Sequence, residues 1–372
     1  MQKKYKSLGL MSGTSGDGVD ASIINSDGSN DYEEITNEYF QYDQDIYDKI
    51  HSLKAKINTK EDLLKNQSDV DDLEKEITLF HAKAVNKIIK NNSIDIIGFH
   101  GQTIYHNADE KISKQIGNAK LLSQLTKKNI IYNFRNNDLK NGGQGAPLAP
   151  VFHRLLLKQN NLEIPACILN IGGISNITII TDYNKDNFLS KDIGPGNCLI
   201  DQWVRKNNRK KYDMNGELAS KGLVNQIILE QGQELLSSIK KNKNSSLDIN
   251  DFDTSFVRGL SVEDGSATLT YLTAQIISAS INYYVSKIDN NINKIIICGG
   301  GRKNNELINI IKKNSSKKFD FKNIDDYGLD GDFIESQAFA YISIRSLLKL
   351  PISYPNSTGC KSACTGGELV EY

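Results

Sequence analysis

The sequence lacks net charge: Lys+Arg and Asp+Glu both total 45 over 372 residues. That balance excludes a cationic sheath for nucleic acid or an anionic membrane, leaving room only for a local basic patch. No apolar run approaches the roughly 20 residues of a membrane span. The longest aliphatic stretches are strand-sized, such as Ile295–Ile297. The basic start Met1-Gln-Lys-Lys-Tyr-Lys soon meets Gly and Ser instead of an apolar core, so no signal peptide is expected. Cysteine is scarce, with five at 167, 198, 298, 360 and 364. An odd, scattered set with three members in or beside apolar stretches points to reduced thiols in a cytoplasm rather than disulfides. There is no fixed-period repeat and no low-complexity linker. Also missing are Gly-x4-Gly-Lys-Ser/Thr, which excludes a Walker loop, and a Gly-x-Gly-x-x-Gly opening a helix after the first strand.

What is present is α/β in pattern. The hydrophobic fraction is low at 38%, but 16 Tyr and 12 Phe keep the chain out of the disordered class. Its length predicts two domains, or three. Apolar spacing predicts one helix over 62–90, with Leu63, Leu64, Val70, Leu73, Ile77, Phe80 and Val85 on one face. Further helices are expected over 266–288, 305–313 and 333–350, and a solvated loop over 241–246. Tyr5–Leu10 and Val19–Ile24 read as strands joined by a glycine-rich turn, as do Ala166–Ile171 and Asn176–Ile180 around Gly172-Gly173. Lys294–Cys298 leads into Gly299-Gly300-Gly301 and then a helix. Two strand–Gly–strand hairpins and one strand–Gly–helix unit suggest two related α/β halves.

Glycine lets backbone N–H groups approach a phosphate closely. Ser12, Thr14, Ser15 and Ser175 supply hydroxyls near these turns, and Asp17, Asp20 and Asp192 supply oxygens of the kind Mg²⁺ takes directly or through water. Each turn is equally a simple hairpin on local evidence. His100 follows an apolar strand, where α/β sheets place ligands, or is structural. Arg135 offers a fork for a carboxylate, or clamps a turn with Asp138. Asp192 precedes Gly194-Pro195-Gly196, read as a turn that exposes a general base, or as an Asx cap. Glu335 stands in the first turn of a helix, which the dipole alone would explain. Cys360-x3-Cys364 without a neighbouring His is a weak metal signal.

The segments Gly9–Asp20, Gly98–Thr103, Phe134–Asp138, Gly142–Leu148, Asn170–Ile177, Asp192–Asn197 and Cys298–Gly301 together resemble, in order, the signature series of the anhydro-N-acetylmuramic acid kinase family. The resemblance implies a two-lobed actin/sugar-kinase-like (ribonuclease H-like) α/β fold with ATP in the cleft between lobes. It implies conversion of 1,6-anhydro-N-acetylmuramic acid, ATP and water into N-acetylmuramic acid 6-phosphate and ADP in cell-wall recycling, in the cytoplasm, by a homodimer. By motif, Gly13, Thr14, Ser15, Gly16, Asp17, Gly18, Val19 and Asp20 would form the ATP phosphate loop, with Gly172, Gly173, Gly299, Gly300 and Gly301 also at ATP. Asp192 would be the catalytic base, His100, Arg135 and Glu335 would bind the sugar, and Asp17 and Asp192 would serve Mg²⁺.

The sequence departs from the family's usual pattern at Gly16, where a larger apolar residue is usual, at Asn133, where an Asp is usual, and at Ile193, where a small hydroxyl residue is usual. Another sugar kinase of the same superfamily, or a non-catalytic ATP-binding module, are the alternatives. The expected division is an N-terminal lobe over 1–131 and a C-terminal lobe over 132–372, with the last helix free to return to the first lobe.

Overall fold

Short apolar strands before glycine turns, such as Tyr5–Ser12 and Ala166–Ile171, form the buried centre of each sheet. The computed structural model describes residues 3–183, 188–242, 247, 249–289, 291–316 and 318–372. It divides into two compact units, one of residues 1–162 and 332–372, the other of residues 163–331. The division therefore falls after Leu162 and not at 131. The reason is pairing: the strand at 129–132 completes the first sheet, and the chain's last strand adds to it.

The first unit is built on β1 (Tyr5–Ser12), β2 (Gly18–Ser26), β3 (Tyr32–Gln41), β4 (Ile96–Asn107), β5 (Ile112–Ile116) and β6 (Asn129–Tyr132). The sheet runs β3-β2-β1-β4-β6 and continues to the C-terminal strand Glu368–Val370, with β5 paired to β4. β1 to β3 are antiparallel neighbours, whereas β4 lies parallel to β1 and β6 parallel to β4. One face is covered by the helices Gln44–Lys56, Gln67–Ile88 and Ala119–Thr126, through a core that includes Leu10, Ile23, Ile50, Val70, Ile97 and Leu122. The long helix expected over 62–90 is two helices, Lys60–Lys65 and Gln67–Ile88, because Asn66 ends one and begins the other.

The opposite face takes the helix Ile334–Leu347, which comes close to backbone contact. A Cβ on Gly9 would lie 1.9 Å from the Ser336 carbonyl oxygen, and one on Gly98 would lie 2.4 Å from that of Phe339. Buried hydroxyl pairs lock the approach, Ser7–Ser343 at 2.7 Å and Ser22–Ser336 at 2.6 Å.

The second unit repeats the plan with β7 (Ala166–Ile171), β8 (Ile174–Ile180), β9 (Leu189–Pro195), β10 (Lys294–Cys298) and β11 (Asp320–Asn323), in the order β9-β8-β7-β10-β11. Again three antiparallel strands are followed by two parallel ones. The two related α/β halves read from the glycine hairpins are thus the observed fold. The helices Val262–Ile288 and Asn305–Asn314 pack on this sheet around Ile277, Ile281, Ile295, Leu307 and Ile311. A satellite core forms around Trp203, whose ring passes over Gly265. Of the loop expected at 241–246, Lys241 and Asn242 end the helix Gln226–Asn242, and the rest lies outside the described residues. The last strand, β12 (Glu368–Val370), pairs antiparallel with β6. None of the five cysteines is in a disulfide. Among the described residues, no helix is long and apolar enough to cross a membrane.

Replacing Gly9 by Ala puts a methyl into the Ser336 carbonyl, so the helix Ile334–Leu347 must lift from the sheet. We expect Gly9→Ala to destabilise the chain by about 1–3 kcal/mol in urea unfolding; parent-like stability would show that the helix does not seat on β1 as described.

Candidate functional site

In the first unit, β1 ends at Ser12 and β2 begins at Gly18, so the glycine loop is residues 13–17. Gly18, Val19 and Asp20, expected in the same loop, are strand residues, and the Val19 side chain is fully buried in the core. The register explains it: Asp20 already pairs opposite Met11. Gly16 stands at φ +62, where a Cβ would lie 2.9 Å from Ile50 Cγ2. A larger apolar residue has no room there, so this departure suits this chain's own turn.

Three side chains take up the loop's carbonyls. Gln102 Nε2 donates to Gly13 O at 3.0 Å, Lys54 Nζ to Thr14 O at 2.9 Å, and His51 Nε2 to Ser15 O at 2.9 Å. In a trans peptide each N–H points opposite to the preceding C=O. The Thr14 and Ser15 amides therefore face away from these donors. Ser12 Oγ donates to Gln102 Oε1 at 2.6 Å, which fixes the amide's orientation. Asp17 is half-buried and accepts the Ser15 hydroxyl at 2.5 Å. Lys54 and His51 were not singled out from the sequence. A signal for Lys54 exists: it continues the buried face Ile46, Ile50, Leu53 of its helix, where a lysine must find a polar partner.

The structure brings His100 and Arg135 into contact. Arg135 donates to His100 Nε2 from Nη2 at 2.9 Å and from Nε at 3.3 Å, and to Gly145 O from Nη1 at 2.9 Å. His100 Nδ1 meets the Gly101 carbonyl at 2.8 Å, so it carries the proton and Nε2 is the acceptor. Burial, reinforced by the Arg135 charge, holds the His100 pKa well below its usual value. The ring of Phe339 packs on His100 with centroids 4.5 Å apart. Glu335 sits half-buried one turn before Phe339, at the positive end of the same helix. Asp138 accepts from Gly145 N at 2.6 Å and from Thr358 Oγ1 at 2.6 Å. A pocket of about 330 Å³ opens beside His100, lined also by Gln115, Asn118, Lys120, Tyr132 and Asn136. Asn133 adopts φ +58, which Asn tolerates, and its amide donates to Glu368 at 2.5 Å. A carboxylate at 133 would confront Glu368 with no proton to give.

In the second unit Asp192 is not in an exposing turn. It lies half-buried in β9, near Asn176 on β8, and its Oδ2 accepts from Leu247 N at 3.1 Å. The strand persists through Pro195 because Gly194 adopts φ +151 and stays paired with Ser175. Ile193 points into the apolar core, fully buried. The Gly172-Gly173 turn has its carbonyls bound by backbone amides, Asn197 N to Gly172 O at 2.8 Å and Gly196 N to Gly173 O at 2.9 Å. The peptide rule turns the Gly173 and Ile174 amides the other way. Gly299 stands at φ +78 with its carbonyl bound by Arg302 at 3.2 Å, and a Cβ on Gly300 would meet nothing within 4 Å. Gly301 packs on Ile171. Asp17 belongs to the first unit and Asp192 to the second.

Comparison with known proteins gives a consistent result. The family model for anhydro-N-acetylmuramic acid kinase matches residues 5–371. An anhydro-N-acetylmuramic acid kinase of Pelagibacter ubique (strain HTCC1062) is 55% identical over 373 residues, covering 100% of both chains. One of Agrobacterium fabrum (strain C58 / ATCC 33970) is 36% identical and covers 98% of each. Among solved structures, the activator of 2-hydroxyisocaproyl-CoA dehydratase from Clostridium difficile with bound ADPNP aligns over 92% of this chain and 97% of its own, with 12% identity and a TM-score of 0.41.

His81 and His153 are also buried, and burial pushes each pKa down to about 4. With His100 they stay neutral in the folded chain, while an unfolded chain protonates them near pH 6.5. The stabilising contribution of His81 and His153 is therefore full above about pH 6.5 and is lost as the pH falls toward 4. Each adds a slope of about 1.4 kcal/mol per pH unit. Urea unfolding between pH 7 and pH 5 should show this loss, and His153→Gln should remove about one proton's share; an unchanged slope would refute the assignment.

Proposed function

The chain belongs to the anhydro-N-acetylmuramic acid kinase family, and on that premise we propose how its residues divide the work of this phosphotransferase. The observation that carries the reading is a glycine turn in each unit whose carbonyls are bound from behind, which turns the amides that follow them away from those donors and toward an incoming anion. The first, residues 13–17, meets the ATP phosphates through the Thr14 and Ser15 amides, with the Lys54 ammonium adding positive charge behind them. Gly172-Gly173 is a second phosphate turn, and Gly299–Gly301 leaves room for the nucleoside at Gly300. ATP supplies the phosphoryl group. Mg²⁺, when bound, offsets phosphate charge, and the half-buried carboxylates of Asp17 in the first unit and Asp192 in the second are each hard oxygen donors of the kind it takes, directly or through water.

The sugar is held by His100, Arg135 and Glu335, with the pocket beside His100 within the size range of small-molecule sites. Arg135 faces the lactyl carboxylate as a cation whose plane is fixed by His100 and Gly145. Asp192 takes a proton from water as the water oxygen bonds to the anomeric carbon and the bond from that carbon to O6 breaks. The freed O6 then accepts the γ-phosphoryl group, and ADP leaves. The expected setting is the cytoplasm, with the chain working as a homodimer.

The decisive assay incubates the chain with Mg²⁺-ATP and the anhydro sugar in ¹⁸O-water. A 6-phosphate labelled at the anomeric oxygen before mutarotation exchanges it is expected, with kcat reduced about 10²–10⁴-fold in Asp192→Asn. Phosphorylation without label, or a fully active Asp192→Asn, would overturn the role of Asp192.

Lys54 gives a separate prediction. Lys54→Met should raise the KM for ATP and lower kcat/KM roughly 10–100-fold, with Lys54→Arg intermediate and the KM for the sugar unchanged. An unaltered KM for ATP in a folded Lys54→Met would detach the loop from the nucleotide.

A further inference from the structure

Cys360 and Cys364 stand three residues apart with no histidine nearby, and spacing alone makes them a poor metal pair. The fold adds a third donor from a distant part of the chain. Asp138 comes from the helix Asn136–Lys140, Cys360 follows the helix Pro355–Thr358, and Cys364 bridges to Ser353. One carboxylate oxygen and the two Sγ atoms all lie within 4.8 Å of one another. Asp138 and Cys360 are buried, whereas Cys364 is partly exposed and gives the cluster a way in.

The surroundings resemble those of an oriented ligand set. The carboxylate is fixed by Gly145 N at 2.6 Å and Thr358 Oγ1 at 2.6 Å, the kind of outer partner that orients carboxylate ligands. Cys364 Sγ lies 3.1 Å from Ser353 Oγ and 4.0 Å from Asp138 Oδ1. Cys167, by contrast, is enclosed in the apolar core of the second unit. Zinc holds sulfur at about 2.3 Å and carboxylate oxygen at about 2.0–2.2 Å, which sets neighbouring ligand atoms about 3.5 Å apart. Side-chain adjustments of about 1 Å would close the observed cluster to that spacing. Two sulfurs disfavour Mg²⁺ and Ca²⁺.

We propose that Asp138, Cys360 and Cys364 form a binding site for a soft divalent cation, with zinc the fitting chemistry. On binding, each S–H bond breaks and its proton passes to solvent. Two metal–sulfur bonds and one metal–oxygen bond form, water completes the four ligands, and no electrons are transferred. Because Asp138 holds Gly145 and the Gly145 carbonyl holds Arg135, the cation would brace the segment that positions Arg135. The proposal stands on this geometry and does not depend on the reaction assigned above.

The test uses the full chain, reduced and stripped of metal. It is titrated with Zn²⁺ against a chromophoric chelator, and with Co²⁺ to read thiolate-to-cobalt charge-transfer absorption. The expected result is one Zn²⁺ per chain and a charge-transfer band, with zinc affinity roughly tenfold or more weaker in Cys360→Ser and in Cys364→Ser. Circular dichroism melts check that both variants fold. Unchanged zinc affinity in folded variants, or no zinc bound by the parent chain, would overturn the site. Should the variants fail to fold, the cobalt spectrum of the parent decides: charge-transfer absorption supports the site, and cobalt bound without it refutes the site.

Discussion

The arrangement of the first unit depends on one contact, the helix Ile334–Leu347 lying almost bare against β1 and β4. Backbone approaches backbone over Gly9 and Gly98, and no residue with a Cβ fits at either place. Such an approach buries hydroxyls that would cost free energy unpaired, and the chain answers with Ser7 to Ser343 and Ser22 to Ser336. Helix height then fixes side-chain positions. Phe339 is pressed against both His100 and Phe134, with centroids 4.5 Å and 5.4 Å away, and Glu335 is carried into place one turn earlier. A chain segment far beyond Arg135 in sequence thus packs on the histidine that Arg135 contacts, which is why the first unit needs both ends of the chain.

On the proposed reading, the two glycine turns solve one problem with different donors. A turn that offers amides to an anion must dispose of its carbonyls, whose lone pairs would repel the same anion. In the first unit side chains do this: Gln102, Lys54 and His51 each take a carbonyl. In the second, the backbone amides of Gly196 and Asn197 do it just before the helix Cys198–Asn207, so the unpaired N–H groups of a helix start find partners in the same stroke. The side-chain solution brings a positive charge behind the first loop; the backbone solution brings none. This asymmetry sits on top of the shared strand order and distinguishes two halves that the sheet topology alone makes equivalent.

The strands and their glycine turns were legible in the sequence because their causes are local. Tyr5–Leu10, Ala166–Ile171 and Lys294–Cys298 are apolar runs of strand length that end at glycine, and each is a strand in the fold. Arg135 and Glu335 stood out as polar residues at element ends and do stand at helix starts, whereas His100, read as the end of a strand, lies inside β4, which pairing with β5 carries on to Asn107. Less legible was anything decided by register or by distant packing. Val19 reads as the start of a strand and, by the family motif, as part of the phosphate loop; pairing of Asp20 with Met11 assigns it to β2 and its side chain to the core. Asp192 reads as turn because glycine and proline follow, yet pairing with β8 carries the strand through both. Lys54 is one polar residue of a polar helix until the position of the loop gives it a carbonyl to hold. Asn66, which splits the expected long helix, is outvoted by the apolar spacing on either side of it.

Three consecutive residues show how tightly the two parts of the first unit's site are joined. The pairing of β4 with β1 shifts register here, from Leu10 opposite Phe99 to Ser12 opposite Gln102, and His100 and Gln102 on either side of the irregularity serve different neighbours. Gln102 holds the Gly13 carbonyl and is itself oriented by Ser12, so it sets the glycine loop. His100 accepts from Arg135, so it sets the guanidinium. Between them Gly101 takes φ +73, and a Cβ there would lie 2.6 Å from the Ile116 carbonyl oxygen. Its own carbonyl receives the His100 Nδ1 proton. That bond selects the tautomer in which Nε2 keeps a lone pair for Arg135, and a protonated ring could not accept at all. Burial and the adjacent guanidinium both oppose that protonation. The glycine therefore sets the chemistry of its neighbour, and a shift of this short segment would move the loop and the guanidinium together.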